Sequence, residues 1–334
     1  MVAEPLSNRR PWISEGRFRD IDAQAAQYQG YDQQYQQLSR GAFEGRFSSF
    51  HFGDDLVINF EMANRELAAS AATPAGRYGA CLLAESSPPC GLNATRFSQD
   101  HVVLTPEKKC VEGTMAEGVS MYCMDLSPAL FPDDGHNMRS IGVMSDPALV
   151  RQLRELVRSG LQAFTALESP ADYPAAVCGF KSSLGDLLWR MAARPEDETR
   201  RRRYSNTRAI QIFRRARDYI HHRLADGISI VTLCRQMGVS RRSLECVFQS
   251  VVGMGPGSYV RVLQLNRIRR DLMSEGSDKV SIGVIAARHG IWHWSRFSRY
   301  YRVLFGELPS QTRVRRKAVG ERGCRLIRPA GQAG

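Results

Sequence analysis

No stretch of the chain approaches the roughly 20 consecutive apolar residues that a membrane-spanning helix needs, so insertion into a bilayer is not expected. The first residues also lack the apolar run of a secretory signal, and a cytoplasmic location is the expectation. Eight cysteines (81, 90, 110, 123, 178, 234, 246 and 324) contain no C-x-x-C pair, which argues for reduced thiols rather than a disulfide frame or a zinc set. No grouping of Ser, His, Cys, Asp or Glu has catalytic spacing, so the reading is no enzyme, no cofactor and no metal. Acidic residues are scarce in one part only. Residues 200–334 hold 28 Lys+Arg against 8 Asp+Glu, a net +20, whereas residues 1–199 hold 18 against 26, a net −8. Basicity confined to one region is the footprint of nucleic-acid binding rather than of general solubility.

At 334 residues and 43% hydrophobic content, the chain can build two cores. Residues 1–40 are polar, and Gln24 to Gln37 holds seven Gln and three Tyr in fourteen positions, which predicts a flexible Gln/Tyr-rich arm. Leu56–Phe60, Tyr78–Ala84, His101–Thr105 and Val119–Asp125 are strand candidates, punctuated by Pro74-Ala-Gly76, Pro88-Pro89 and Gly113. Asp146-Pro147 then opens a helix carrying Leu149, Leu153, Leu156, Val157, Leu161 and Phe164 at helical spacing, and Tyr173 to Ala193 reads as another. Strands followed by two amphipathic helices predict an α+β domain over 41–193, a small cupin-like β-sandwich or barrel. Its helices cover the sheet or supply a homodimer face. His51, His101, Cys81, Cys110 and Cys123 lie in these strand-like stretches as packing residues, with a metal or thiol site as the sharper alternative. Pro195 and the run Arg200–Arg203 mark a linker at 194–204, where the charge changes sign.

From about Ser205 onward the pattern is helical. A helix to Arg223 is followed by Ile228–Gly238, Val239-Ser240, then Arg241 to Val252: short helix, glycine turn, longer helix, a helix-turn-helix pattern. Leu244, Val247, Phe248 and Val251 face inward, leaving Arg241, Arg242, Glu245, Cys246 and Gln249 outward. Pro256 to Ser274 forms a separating helix whose Tyr259, Val262, Leu265, Ile268 and Leu272 share one face. Its other side carries Arg261, Arg267, Arg269 and Arg270, which reads as a face for a polyanion. Such a helix spans nearly ~30 Å, close to the ~34 Å repeat of B-DNA. Beyond it the pattern recurs: Ser281 to His289, Gly290, then His293 to Phe305, with Phe297, Tyr301 and Leu304 inward and Trp294, Ser295, Arg296, Arg299 and Arg302 outward. Phe248, Gly253 and Pro256 are mirrored by Tyr301, Gly306 and Pro309. His221-His222 ends a helix, where imidazole suits the negative end of the dipole, and His289 and His293 do not share a helix face as a zinc pair would.

Over 205–316 this sequence resembles the AraC/XylS-type bacterial transcription regulators. The resemblance rests on Leu233, Ser240, Leu244, Phe248, Gly253, Pro256 and Tyr259, then Ile285-Ala286, Gly290, Ser295, Phe297, Arg299, Tyr301, Gly306, Pro309 and Arg313. It implies an all-α, seven-helix DNA-binding domain whose two recognition helices enter successive major-groove segments. It also implies an effector-sensing or dimerising domain at 41–193, double-stranded promoter DNA, RNA polymerase and a small-molecule effector as partners, and activation rather than repression. Arg241, Arg242, Glu245, Cys246, His293, Trp294, Ser295, Arg296 and Arg299 are the expected base readers. Arg235, Arg261 and Arg302 are the expected phosphate contacts, and 317–334 a basic tail. The chain departs from the family at Cys246, where relatives place a long polar reader, and at Gly255, Trp292 and Thr312, which touch capping and packing. Alternatives of other classes are a DNA-tethered enzyme, a metal- or redox-sensing module, and an architectural DNA binder without a ligand.

Overall fold

The computed structural model describes residues 12–92, 95–131, 142–166, 173–192, 208–274, 276–319 and 325–327. Thirteen strands and ten α-helices lie among the described residues. The strands are β1 (Trp12–Phe18), β2 (Asp32–Gln37), β3 (Gly45–His51), β4 (Leu56–Ala63), β5 (Leu67–Ala72), β6 (Tyr78–Leu83), β7 (Cys90–Leu92), β8 (Thr95–Phe97), β9 (His101–Thr105), β10 (Cys110–Met115), β11 (Val119–Leu126), β12 (Gly142–Ser145) and β13 (Arg325–Ile327). They form two sheets, ordered β12-β9-β6-β11-β4-β3-β1-β13 and β2-β5-β10-β7-β8. Inner faces meet in one core, where Phe47, Leu83, Val103, Val119 and Met121 of the larger sheet pack with Tyr35, Leu67, Cys90 and Met115 of the smaller. This is the expected β-sandwich.

Helices α2 (Pro147–Ala166) and α3 (Tyr173–Ala192) cover the outer face of the larger sheet. Leu153, Val157, Leu161, Phe164, Phe180, Leu184 and Leu188 pack there with Phe52, Leu56, Ile58, Leu82 and Leu104. The apolar stripes that sequence spacing assigned to a sheet cover or a dimer face are spent on the sheet.

The expected flexible arm is not one from Trp12 onward. Residues 12–37 supply β1, a short helix α1 (Ile21–Ala25) capped by Asp20, and β2. Composition hid this because the buried groups are polar: Gln24 is 0%, Tyr35 1% and Gln37 1% exposed, and each donates a hydrogen bond from its side chain, to Glu61, Glu61 and the Leu304 carbonyl. At the other end, the expected basic tail is helical to Val319, and Arg325–Ile327 pairs antiparallel with β1. The expected linker at 194–204 lies outside the described residues.

The helical domain has the seven helices the resemblance implies: α4 (Arg208–Arg223), α5 (Ile230–Met237), α6 (Arg241–Val252), α7 (Pro256–Met273), α8 (Ile282–Arg288), α9 (Trp294–Phe305) and α10 (Pro309–Val319). It holds two cores. Phe213, Leu233, Leu244, Phe248, Tyr259 and Leu263 form the first, with the rings of Phe213, Phe248 and Tyr259 between 5.1 and 5.6 Å apart. Leu265, Ile268, Leu272, Ile285, Phe297, Tyr301 and Leu304 form the second. Helix α7 therefore joins the units by giving its first half to one core and its second half to the other. No described helix is long and apolar enough to cross a membrane.

Candidate nucleic-acid interface and sensor cavity

Each helix-turn-helix unit is built by local chemistry. In the first, α5 ends at Gly238 in the left-handed conformation, and Ser240 caps α6 by accepting from the Ser243 amide at 3.1 Å. In the second, Ser281 caps α8 through the Val284 amide at 3.2 Å. Helices α6 and α9 both stop at a left-handed glycine, Gly253 and Gly306, and α7 and α10 both start on proline. Thr312, one of the expected departures from the family pattern, is fully buried and bonds the Tyr301 hydroxyl at 2.8 Å and Glu307 at 2.7 Å.

The outward faces are solvent-exposed. Arg241, Arg242, Glu245 and Cys246 on α6, and His293, Trp294, Ser295, Arg296, Arg299 and Arg302 on or beside α9, all lie at the surface, as do Arg235 and Arg261. Arg241 holds Glu245 at 3.2 Å one turn away. Arg235, Arg242, Arg261, Arg296, Arg299 and Arg302 meet no acidic partner among the described residues. The Arg261 guanidinium lies over the Tyr300 ring of α9, 4.4 Å from its centroid, which ties it to the second recognition helix. Trp294 is partly spent on packing: its indole stands edge-on to Phe297 at 6.1 Å and fills the space a Cβ would need at Gly283. The neighbouring Trp292 is 70% exposed at the turn before α9 and is the larger free aromatic surface. Sequence reasoning noted Trp292 only as a departure from the family.

The arginine-rich back of α7 is not a polyanion face. Arg269 is 4% exposed, with its Nη1 2.6 Å from Glu307, its Nε 3.4 Å from Asp20, and its guanidinium 4.7 Å from the Phe305 ring centroid. Arg270 pairs with Asp22 at 2.9 Å, and Arg267 donates to Nδ1 of His221 at 3.1 Å. These side chains look alike in sequence; what separates them is their partners, Asp20 and Glu307 for Arg269, Asp22 for Arg270 and the His221 imidazole for Arg267. Of the four, Arg261 alone meets neither a carboxylate nor a histidine among the described residues.

Between the two sheets lies a cavity of about 140 Å³ lined by, among others, Tyr28, Tyr35, Glu61, Cys81, Met121 and Cys123. Glu61 is fully buried and accepts from Gln24 at 2.7 Å, Tyr28 at 2.7 Å and Tyr35 at 2.8 Å. Burial raises its pKa, and the three hydrogen bonds oppose that rise. His51 stacks on Trp12 with ring centroids 3.5 Å apart, and burial lowers its pKa to about 4. Of the five strand Cys and His side chains, Cys81 and Cys123 meet, with sulfurs 3.8 Å apart. His51 turns to Ser49, His101 to Ser98, and Cys110 is exposed, so they do not join them. No group of three or more His, Cys, Asp or Glu able to hold a metal occurs among the described residues. Cys246 is exposed, as expected.

A helix-turn-helix domain family matches residues 233–315, both units and the helix between them. The C-terminal domain belongs to the AraC/XylS type. Over 105 residues the chain is 36% identical to the XylDLEGF operon transcriptional activator 3 of Pseudomonas putida, covering 31% of this chain and 32% of that one. It is 31% identical over 117 residues to the probable thc operon regulatory protein of Rhodococcus erythropolis, covering 35% of each. The chain thus matches about a third of the length of these curated relatives. The crystal structure of the AraC-like transcriptional activator CuxR aligns over 82% of this chain and 100% of that one, at 18% identity and a TM-score of 0.42.

Proposed function

We propose that the protein is a bacterial, cytoplasmic transcription regulator of AraC/XylS type that binds promoter DNA sequence-specifically and activates transcription. The observation that carries this reading is the pairing of two exposed, basic recognition helices, α6 and α9, on one continuous spacer helix, in a domain matched by the helix-turn-helix family. Arg241, Arg242, Glu245 and Cys246 on α6 read bases, and His293, Ser295, Arg296 and Arg299 do so around α9, with Trp292 and Trp294 offering apolar surface to thymine methyls. Arg235, Arg261 and Arg302 bind phosphates and set register. The cavity between the sheets takes a small-molecule effector, and RNA polymerase is the further partner. Self-association through the sandwich domain is consistent with this role.

The test is enrichment of duplexes from a random library by the full chain, followed by titration of the selected site. The expected site has two short elements about one helical turn, or ~10 base pairs, apart. The log–log slope of affinity against salt should be about −5 or steeper, as release of counterions from several phosphates requires. Failure to enrich any sequence, or a slope near −1, would reject the reading.

A further inference from the structure

Five sulfur-bearing side chains line the cavity between the sheets: Cys81, Cys90, Met115, Met121 and Cys123. Cys81 on β6 and Cys123 on β11 are direct partners across an antiparallel pair, with Sγ atoms 3.8 Å apart. The same Cys81 Sγ lies 3.7 Å from Sδ of Met121. Met121 and Cys123 are two residues apart on one strand and so share a face. One thiol is therefore flanked by a second thiol and by a thioether.

Metal–sulfur bonds of about 2.3 Å at a tetrahedral angle place two sulfurs about 3.8 Å apart. The Cys81–Cys123 and Cys81–Met121 separations are both close to that chord. A disulfide needs its sulfurs about 2.0 Å apart, so the pair would have to close by almost 2 Å to form one. The hydrogen bond with Cys123, and then burial, push the Cys81 thiol up, and burial pushes Cys90 up to about 11. Two carboxylates stand in the cavity lining: Glu61 has both oxygens engaged by Gln24, Tyr28 and Tyr35, and Asp125 accepts through Oδ1 from Arg77 at 2.9 Å and Tyr31 at 3.1 Å, so the donors nearest Cys81 are the soft ones. Two thiolates and a thioether favour Cu(I) over hard or borderline ions.

We infer that Cys81, Cys123 and Met121 form a binding site for a soft, thiophilic ion of the Cu(I) class inside the cavity. Binding makes two copper–thiolate bonds and one copper–thioether bond and releases the two thiol protons to solvent. No oxidation state changes. The link to gene control rests on the regulator reading above, but the binding itself does not.

The test uses the full chain, reduced and free of oxygen, with Cu(I) supplied as its complex with a coloured chelator and no DNA present. The reduced chain should withdraw a single Cu(I), more tightly as pH rises, and X-ray absorption should show a sulfur shell around the ion. Cys81→Ser and Cys123→Ser should each weaken binding by more than about 100-fold, the upper end of what loss of outer-shell support alone costs. Met121→Leu should weaken it less, and Cys110→Ser with Cys178→Ser, both exposed positions, should leave it unchanged. In the unaltered chain, Cu(I) should also protect Cys81 and Cys123 from alkylation, which reads the site without any variant. Copper left with the chelator would overturn the inference. So would serine variants that bind as tightly as the parent, or a chain isolated with a Cys81–Cys123 disulfide and no Cu(I) uptake after reduction. Loss of DNA binding with copper uptake intact would instead count against the regulator reading alone.

Discussion

Gln37 and Asn266 exchange two hydrogen bonds across the domain boundary: the Gln37 amide donates to Asn266 Oδ1 at 3.0 Å, and Asn266 Nδ2 donates to the Gln37 carbonyl at 3.1 Å. The side chain of a spacer-helix residue thus completes the end of β2 as a neighbouring strand would. Gln37 also sends its own side-chain amide to the Leu304 carbonyl at the end of α9, at 2.6 Å. Two residues earlier on β2, Tyr35 donates to Glu61 in the cavity. One stretch, residues 20–37, therefore holds the cavity carboxylate through Gln24, Tyr28 and Tyr35 and holds the helical domain through Asp20, Asp22 and Gln37.

Asn266→Ala should leave both cores intact and strand the amide and carbonyl of Gln37. Each orphaned group costs about 1–3 kcal/mol if it stays buried, so the domains should part instead of bearing the full sum. Amide exchange is the measurement. Gln37 should lose protection while the sheet interior at Ile58 and Leu82 keeps its own; unchanged protection at Gln37 would show that the contact does not hold β2.

The paired glycines separate helix capping from domain contact. Gly253 and Gly306 have nearly the same φ, +67° and +71°, but a Cβ at Gly253 meets open space, whereas at Gly306 it would lie 2.8 Å from the Ala42 amide nitrogen. Alanine at either position carries the left-handed penalty of about 1–2 kcal/mol. Gly306→Ala should therefore destabilise more than Gly253→Ala, and the excess measures how firmly the sandwich domain presses on α9. Equal loss in urea titrations of the two variants would mean that Ala42 yields without cost.

The helical domain was almost fully legible in sequence because a 3.6-residue period, serine caps, left-handed glycines and first-turn prolines all mark the same boundaries, twice. In the sandwich, β4, β6, β9 and β11 were legible because they run through the centre of the larger sheet and carry dense apolar runs. Strands β2, β5 and β10 were not, since the smaller sheet is made of Gln, Ala, Ser and Gly with few large apolar residues. Residues 20–37 were misread for the same reason. Outward positions on α6 and α9 follow from helical phase alone. The fate of Arg267, Arg269 and Arg270 depends on Asp20, Asp22, Glu307 and His221, partners at least 38 residues away, which no local pattern encodes.

Stability should fall in mild acid through His221. Burial first, then the positive charges of Arg267 and Arg217, lower its pKa to about 4, against Asp218, which raises it. Because a guanidinium can only donate, Nδ1 accepts from Arg267 and the ring is neutral. An unfolded histidine titrates near ~6.5. The folded chain refuses a proton that the unfolded chain accepts, so this contribution is complete above pH ~6.5 and is lost as pH falls towards about 4. His221→Asn keeps an acceptor for Arg267 and should flatten part of the fall in thermal midpoint across that window. His51, also lowered to about 4 by burial, should supply the slope that remains. An unaltered profile in the variant would place the acid sensitivity elsewhere.

Arg296 and Arg261 should fail in different ways on DNA. Arg296 projects from the first turn of α9 and meets no acidic partner among the described residues, so its guanidinium is free to bond two acceptors of a guanine. Such a contact carries about 1–3 kcal/mol of discrimination. Arg296→Ala should therefore weaken a selected site more than random duplex and narrow the gap between them. Arg261 sits on α7 over the Tyr300 ring, as a proposed phosphate contact rather than a reader of base edges. Arg261→Ala should weaken both duplexes about equally and make the salt slope shallower by about one unit, the loss of a single phosphate contact. Arg242→Ala on α6 should resemble Arg296→Ala, with a smaller effect because Cys246 gives that helix a shorter reach. Paired titrations of selected and random duplexes at several salt concentrations decide the matter. If Arg261→Ala erased specificity while Arg296→Ala lowered both affinities in parallel, the two faces would have to be exchanged, with α9 lying along the backbone and the start of α7 turned towards the groove.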